Sequence, residues 1–325
     1  MTDVFQAPSI RRAVGLTDLI EPVARAFAEF SRGLGEAPMV VFAPAGPDGD
    51  VHVKCAWLPD HAVFTVKVAA SFAARDVSAS SGYVAVHDAT TGDLLVLLRD
   101  EHHLTNVRTA AAGAVATRLL AREDARTVVV LGTGVQARLQ VLAVRAVRPV
   151  DTVLIWGRRH DAARLLRDTI AATAPELSVS VADRAEDAVR HADIVVTATA
   201  SRQPILDGSW LRPGQHVTAV GADDPTKAEL DPTCFRRADL LVVDSRPDTP
   251  RFAGDLRRAI ERGAVTPADL DAEVGDLVLG RHPGRGDAAQ ITVAKLVGLG
   301  VQDLVAAETA LRRLGSRPRL KESAG

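Results

Sequence analysis

The sequence predicts an α/β protein with two domains, one built on a doubly wound parallel sheet and a smaller one of mixed α/β type. Short apolar runs alternate with helical or polar segments over roughly 123–290, which is typical of strands in a parallel sheet. A turn with two glycines follows the first of these runs. The first third of the chain instead contains β-rich segments separated by Pro, Gly and Asp. A chain of 325 residues is long enough for two such domains.

The composition is that of an ordinary soluble globular protein. Apolar residues make up 47%, charged residues 25%, and the net charge is −2, so neither nucleic acid nor a membrane is indicated as a partner. Cys55 and Cys234 form no CxxC or Cys/His cluster, so neither a metal site nor a disulfide framework is predicted. The N-terminus lacks the order of a signal peptide, and no apolar run could span a bilayer. We therefore expect a cytoplasmic protein.

The smaller domain is predicted to combine helices with an antiparallel hairpin. A helix begins at the cap Thr17 and ends near Gly33, and β-rich segments such as “DVHVKCAWL” and “AVFTVKVAAS” follow. A hairpin crosses the turn at 88–93, and an Ala-rich helix covers 106–122. The segment “ITVAKLVGLGVQDLVAAETALRRLG”, from Ile291, is predicted to be a helix that returns to this domain.

The glycine turn in “VVVLGTGVQARLQ” has the form G-x-G-x-x-A. Gly132 permits a tight turn, Gly134 lets a pyrophosphate approach the backbone, and Ala137 lets helix and strand pack closely. The helix that starts at Val135 and Gln136 presents free N–H groups and a positive dipole end to phosphates. Any strand-to-helix turn can carry two glycines, but here a strand precedes and a helix follows. The turn therefore predicts a Rossmann-type dinucleotide-binding domain.

The tip of the next strand indicates which nucleotide binds. An NAD-selective site usually ends this strand with an acid that binds the ribose 2′-hydroxyl. Here “TVLIWGRR” ends with Gly157, followed by Arg158 and Arg159, whose guanidinium groups would attract a 2′-phosphate. The alternative is that both arginines are solvated loop residues. We predict NADP(H) in preference to NAD(H).

Five motifs resemble those of the ornithine cyclodeaminase/mu-crystallin family: “FTVKVAAS”, “LTNVRTAAAGAVA”, “LGTGVQA”, “VGADDPTKAELDP” and “ITVAKLVGLGVQDL”. The resemblance covers nearly the whole chain, with the motifs in the same order. It implies a Rossmann domain over 121–294. It also implies a smaller α/β domain, formed by 1–120 with 295–325, that binds substrate and makes a homodimer.

The resemblance also implies roles for individual residues. Lys67 and Arg108 match the cations that bind the α-carboxylate of a small amino or imino acid. Asp223 matches the acid that exchanges a proton with the substrate. The residues implied to line the cofactor are Gln136, Thr197, Val220 and Lys227.

These roles suit hydride transfer to an imino acid. A carboxylate needs a positively charged site, and hydride addition to C=N is easiest when the nitrogen is protonated. Each residue also has a structural interpretation. Lys67 lies in a strand between Val66 and Val68, which fits a solvent-facing lysine equally well. Asp223 precedes Pro225 by two residues and could be a turn former.

The chain departs from the family pattern at the carboxylate site and elsewhere. Val40 stands where many members have an arginine, and Leu296 where cyclodeaminase-like sequences often have serine. Lys54 stands thirteen residues before Lys67, where relatives have Met or Glu. We interpret Lys54 as a replacement for the missing arginine; an exposed strand lysine is the alternative. The acid at the second strand's tip, present in NAD-using cyclodeaminases of the family, is also missing.

These departures favour a family member that runs only the reductive half of the cyclodeaminase reaction. The predicted function is that of an NAD(P)H-dependent imino acid (ketimine) reductase or amino acid dehydrogenase. One alternative is ornithine cyclodeaminase, an NAD-dependent lyase that forms proline and ammonia. Another is a non-catalytic, mu-crystallin-like protein that binds small carboxylates in an NADPH-dependent way.

Overall fold

The structure, a computed structural model, describes residues 2–44, 49–72 and 81–315. They form two compact units. Unit 1 comprises the described residues of Met1–Arg108 and Leu299–Gly325, and unit 2 comprises Thr109–Gly298. The resemblance implies domains of 1–120 with 295–325 and of 121–294, and the compact units divide after residues 108 and 298. The predicted α/β fold class, with a Rossmann-type parallel sheet, is confirmed.

Unit 1 contains a six-stranded sheet in the order β1-β6-β5-β4-β3-β2. Only β1 and β6 pair in parallel; the other neighbours are antiparallel. The predicted hairpin at 88–93 is confirmed. The strands are β1 (Asp3–Gln6), β2 (Met39–Phe42), β3 (Gly49–Ala56), β4 (Val63–Phe72), β5 (Ser81–Asp88) and β6 (Leu94–Arg99). The helices are α1 (Ala7–Ala13), a 3-10 turn (Thr17–Leu19), α2 (Ile20–Phe30), the start of α3 (His103–Leu120) and α11 (Gly300–Arg313).

The two faces of this sheet have different environments. Lys54 on β3 pairs with Lys67 on β4, and their face is buried, with α11 packed against both strands. The opposite face carries an apolar row that runs across four strands in register: Val40, Val53, Val68 and Tyr83. Val40 is 57% exposed and Tyr83 is 39% exposed. Unit 1 therefore leaves one apolar sheet face uncovered by its own described residues.

Unit 2 contains an eight-stranded sheet in the order β13-β12-β14-β11-β10-β7-β8-β9, with every pair parallel. The strands are β7 (Thr127–Leu131), β8 (Thr152–Trp156), β9 (Ser178–Val181), β10 (Ile194–Thr197), β11 (His216–Ala219), β12 (Leu240–Val243), β13 (Ala272–Glu273) and β14 (Thr292–Lys295). The α-helices are α4 (Val135–Val147), α5 (His160–Thr173), α6 (Ala185–His191), α7 (Pro232–Arg236), α8 (Thr249–Phe252), α9 (Gly254–Glu261) and α10 (Val274–Val278). Two 3-10 turns complete the unit, Gly208–Trp210 and Pro267–Asp269.

The strand order fixes where a ligand can bind in unit 2. From β7 the chain adds β8 and β9 on one side, and then crosses so that β10 pairs with the other side of β7. In open parallel sheets, ligands bind at the carboxyl ends of the strands at such a reversal. The turns after β7 and β10 are therefore the expected walls of a nucleotide site.

The predicted C-terminal helix is wrong in its first part. Thr292–Lys295 forms strand β14, which lies between β11 and β12, and all four of its residues are buried. The helix α11 begins only at Gly300. Pairing with a strand on each side outweighs the helical spacing of the apolar residues, because a buried central strand needs no polar face.

Thr17 is also not the cap of a long helix, since it opens a 3-10 turn and α2 starts at Ile20.

No helix in the described part of the chain is both long and apolar enough to cross a bilayer.

Candidate active site

Unit 1 brings the three predicted substrate-binding cations together. Lys54 and Lys67 are register partners on β3 and β4, and only 3% and 2% of their surfaces are exposed. Arg108, in the second turn of α3, is 3% exposed. The alternative that these lysines lie on a solvent face is therefore wrong. Buried lysines and arginines are rare unless they are paired, so the cluster needs a counter-ion.

Asp303 supplies that counter-ion. Its Oδ2 lies 2.8 Å from Nζ of Lys67, and its Oδ1 accepts a hydrogen bond of 2.8 Å from Nε of Arg108. Only 1% of the Asp303 side chain is exposed. Sequence reasoning missed this residue, although it lies inside a quoted motif. An acid in the first turn of α11, followed by four apolar residues, was the available signal, because the helix N-terminus favours a carboxylate there.

Gln302 leaves a donor open beside the same cations. Its Oε1 accepts a hydrogen bond of 2.8 Å from Arg108. Its Nε2 is buried, and it has no hydrogen-bond partner among the described residues. A buried N–H group without an acceptor is costly, so this amide is suited to donate to an oxygen of a bound ligand.

The charges in the cluster act strongly on each other. Burial, Arg108 and Lys54 lower the pKa of Lys67 to about 7, although Asp303 acts in the opposite direction. Burial alone would raise the pKa of Asp303, but Arg108, Lys67 and Lys54 hold it below its ordinary value. The nearby Asp100 has a raised pKa because it is buried, although its hydrogen bond from the Leu104 N–H opposes this. Asp303 therefore faces three cations, and a bound anion would reduce the repulsion between them.

The structure does not support the interpretation that Lys54 replaces an arginine at position 40, because the two positions lie on opposite faces of the sheet. Met39 is the register partner of Lys54 on β2, so Val40 points to the opposite face of the sheet. Val40 is exposed on that face, whereas Lys54 lies on the buried face with Lys67. Leu296 is 3% exposed and follows β14 in unit 2.

In unit 2, each small residue of the predicted nucleotide turn has a physical reason to be small. Gly132 has φ +143°, and a Cβ there would lie 2.5 Å from the carbonyl oxygen of Ala198. Gly134 is the N-cap of α4, and a Cβ at this position would meet nothing within 4 Å, which leaves open space. Ala137 is completely buried. The space at Gly134 and the first-turn N–H groups of α4, from Val135 and Gln136 onward, fit a pyrophosphate.

The tip of β8 has the composition predicted from the sequence. Gly157 lies so close to Thr133 that an added Cβ would overlap the Cγ2 of Thr133. Arg158 and Arg159 are exposed, and neither has a hydrogen bond or an ion pair from its side chain within the described parts of the chain. Both guanidinium groups are available to an anionic ligand.

The loop after β11 carries the predicted proton-exchanging acid. Nζ of Lys227 lies 2.8 Å from Oδ1 of Asp223 and 2.9 Å from Oδ2 of Asp224. Burial alone would lower the pKa of Lys227, but the two carboxylates raise it above its ordinary value. Asp224 also accepts the N–H of Thr226 at 2.7 Å, so it is the turn former of the pair. The Asp223 side chain is 31% exposed and remains reachable by a ligand.

The remaining predicted cofactor residues lie at the ends of two adjacent strands. Thr197 ends β10 and is completely buried, and its hydroxyl donates to Glu229 at 2.8 Å. Val220 follows β11 and is 8% exposed. The Thr197 side chain is thus engaged within the protein, and its carbonyl oxygen accepts the N–H of Val220 at 3.0 Å.

The reversed strand order and the glycine turn define a protein of the Rossmann-type class. More particularly, the chain belongs to the ornithine cyclodeaminase/mu-crystallin family, whose sequence profile matches residues 1–316. The resemblance inferred from the five motifs is therefore confirmed.

Several relatives of known name are similar over most of their length. An uncharacterized cyclodeaminase of Sinorhizobium fredii is 40% identical over 272 residues, which is 83% of this chain and 82% of the relative. The ketimine reductase mu-crystallin of Mus musculus is 32% identical over 297 residues, 89% of this chain and 90% of the relative. Among solved structures, the Δ1-pyrroline-2-carboxylate reductase of Thermococcus litoralis, in complex with NADH and L-proline, has a TM-score of 0.91 at 28% identity. That match covers 96% of this chain and 97% of the other.

Proposed function

We propose that the protein is an NAD(P)H-dependent reductase of α-imino acids, such as a cyclic ketimine or an imine of a 2-oxo acid. The observation that carries this proposal is the buried cluster of Lys54, Lys67 and Arg108, which has Asp303 as its counter-ion and an open donor on Gln302. Such a cluster is suited to a small carboxylate. The names of the mouse and Thermococcus relatives support the same reaction class.

The proposed reaction assigns a role to residues of each unit. A bound nicotinamide supplies the hydride. Arg108 and Lys67, with Lys54, hold the substrate carboxylate and so orient the imine carbon. Asp223 keeps a proton on the imine nitrogen, because a carboxylate stabilises an iminium cation. Lys227, paired with Asp223, orients that carboxylate.

The test is a cofactor-oxidation assay with purified protein. Pyrroline-2-carboxylate, piperideine-2-carboxylate and mixtures of 2-oxo acids with amines should each be tried with NADPH and NADH. We expect oxidation of the cofactor and formation of the corresponding amino acid. Absence of turnover with every substrate, although the nucleotide binds, would contradict the proposal.

A second candidate is ornithine cyclodeaminase activity. The observation in its favour is the 40% identity with a protein named as a cyclodeaminase. Such an enzyme would release ammonia from ornithine with no net change in NADH. An ammonia assay with ornithine and catalytic NAD separates the two candidates, since a reductase without the lyase activity gives no ammonia.

We further propose that NADP(H) is preferred to NAD(H), on the basis of Arg158 and Arg159. Replacing both by Ala is expected to raise the NADPH Kd roughly ten- to a hundredfold and to leave the NADH Kd nearly unchanged, because only NADPH has a 2′-phosphate. Fluorescence titration of each nucleotide gives both constants. Arg262→Ala, which removes another exposed arginine of unit 2, is the control. Equal effects of the double substitution on both nucleotides would rule out the 2′-phosphate contact.

Carboxylate binding is expected to depend on pH through Lys67. The pKa of Lys67 is about 7 without ligand, and only the charged form attracts a carboxylate. Above pH 7 binding must therefore take up a proton, and the Kd is expected to rise by up to about tenfold per pH unit. The measurement is the Kd of furan-2-carboxylate, an acid without nitrogen, between pH 6 and pH 9. In Lys67→Arg the profile should be flat, since a guanidinium does not titrate in this range. A profile that is equally steep in the variant would assign the effect to another group.

We also propose that the protein is a homodimer formed through the apolar row on the open sheet face of unit 1. Val40 and Tyr83 are exposed there although monomeric proteins seldom expose large contiguous apolar patches. Light scattering should give twice the chain mass; a monomer at all concentrations would contradict this.

A further inference from the structure

The carboxylate of Glu229 is the centre of a buried hydrogen-bond network at the carboxyl ends of β10 and β11. Glu229 is completely buried. Its Oε1 accepts the backbone N–H of Thr199 at 2.5 Å and the hydroxyl of the same residue at 2.8 Å. Its Oε2 accepts the Thr197 hydroxyl at 2.8 Å and the N–H groups of Gly221 at 2.8 Å and Ala222 at 3.2 Å. One side chain thus holds the turns that follow both strands.

These two turns are in tight contact. A Cβ on Gly221 would overlap the carbonyl oxygen of Thr199 and Oε1 of Glu229. On its other side, the turn after β10 lies against the nucleotide turn, where a Cβ on Gly132 would be 2.5 Å from the oxygen of Ala198. A displacement of the turn after β10 would therefore affect both neighbours, because close-packed backbone has no free space to absorb it.

The network requires an ionised carboxylate. All five groups that contact Glu229 in this network are donors, and an amide or a protonated acid would direct its own donor at one of them. Burial raises the pKa of Glu229, while Lys295 and the hydrogen bonds from Thr199 and Thr197 oppose that rise. Asp255 holds the backbone of Glu229 by accepting its N–H at 3.3 Å, and Lys295 lies 3.4 Å from Asp255. Asp255 therefore holds the backbone of Glu229, while the five donors hold its carboxylate.

We propose that Glu229 is the positioning residue that sets the two turns for nucleotide binding and places Asp223, which directly follows Ala222. This inference rests on the proposed function, because it assumes that the turns after β7, β10 and β11 receive a nicotinamide nucleotide. Glu229 acts only through Thr197, Thr199 and the backbone at 221–222.

The test compares Glu229→Gln with a matched control, Asp193→Asn. Asp193 also holds backbone N–H groups, those of Arg126 at 2.9 Å and Thr127 at 3.0 Å, but at the amino end of β7. Glu229→Gln is expected to raise the Kd of NADH and NADPH roughly ten- to a hundredfold and to lower kcat at saturating nucleotide. Asp193→Asn is expected to lower the Tm and to leave both Kd values unchanged.

The outcomes separate this inference from the proposed function. A wild-type protein that binds neither nucleotide would end the proposed function, and this inference with it. If the wild type binds but Glu229→Gln has only a lower Tm, with the wild-type Kd and kcat, Glu229 is merely structural and the inference is overturned. If Glu229→Gln does not fold, Thr199→Val removes one donor and keeps the carboxylate. A several-fold rise of the nucleotide Kd supports the inference, and an unchanged Kd overturns it.

Discussion

Asp223→Asn is expected to lower the turnover number by roughly a hundred- to ten-thousandfold, which is the usual contribution of a positioned acid or base. Asparagine can still accept a hydrogen bond from Lys227, but it cannot stabilise an iminium by charge or exchange its proton. The nucleotide Kd should change little, since the side chain is assigned to the substrate. Steady-state kinetics with a cyclic ketimine, together with nucleotide titration, measures both quantities.

The same control, Asp193→Asn, removes a carboxylate from unit 2 without touching the loop after β11. Its turnover number should stay close to that of the wild type. If Asp223→Asn instead keeps more than about a tenth of the wild-type turnover, the loss is far smaller than removal of a general acid or base causes. Another group must then exchange the proton with the substrate. A loss of nucleotide affinity as large as the loss of turnover would instead show that Asp223 shapes the nucleotide site.

Asp303→Asn is expected to lower the free energy of unfolding by about 3–5 kcal/mol, because it leaves a buried cluster of cations without its counter-ion. Lys67 and Arg108 both lie 2.8 Å from this carboxylate. The pKa of Lys67 is already lowered to about 7, so Lys67 can release its proton as the pH rises. Without Asp303 the pKa of Lys67 falls further, so the deficit is expected to shrink as the pH rises from 5 to 8 and to change little above that, where Lys67 is neutral in both proteins. Urea denaturation at both pH values measures it.

A bound carboxylate should partly replace the missing acid. A ligand that binds only the folded state stabilises it. Saturating furan-2-carboxylate is therefore expected to raise the stability of Asp303→Asn more than that of the wild type, because the cations of the variant lack their own counter-ion. Asp207→Asn, which removes a carboxylate of unit 2 that accepts the Ser209 N–H at 2.8 Å, should show no such difference. If Asp303→Asn is as stable as the wild type, the cluster does not depend on Asp303 for its charge balance.

The sequence predicted the sheet of unit 2 well because each of its signals is local. Apolar runs, the G-x-G-x-x-A turn and the helix that follows it lie within a few residues of each other. The failure at β14 has a clear cause. The segment that begins at Ile291 is mostly apolar over its first eleven residues, and such a run fits a buried strand or a buried helix equally well. Only the partners β11 and β12, far away in sequence, decide between them.

The orientation of Lys67 could not be predicted from the strand pattern. A period of two shows that Lys67 points away from Val66 and Val68, but it does not show which face is buried. In the structure the lysine face is covered by α11 and the valine face is partly open. Asp303 and Glu229 were not identified from the sequence for a related reason. The groups that their carboxylates contact are distant in sequence or belong to the backbone. The Rossmann turn could be found because its chemistry lies in one short stretch.

The long sequence separation between Arg108 and Asp303 has a consequence for how the protein is made. Arg108 leaves the ribosome 195 residues before the acid that neutralises it. Until α11 has been synthesised, the early strands carry cations that cannot be buried without a large cost. We therefore expect the N-terminal segment to remain incompletely packed during synthesis, while the parallel sheet assembles from the middle of the chain. Synthesis of α11, rather than the emergence of the first strands, would then permit unit 1 to close.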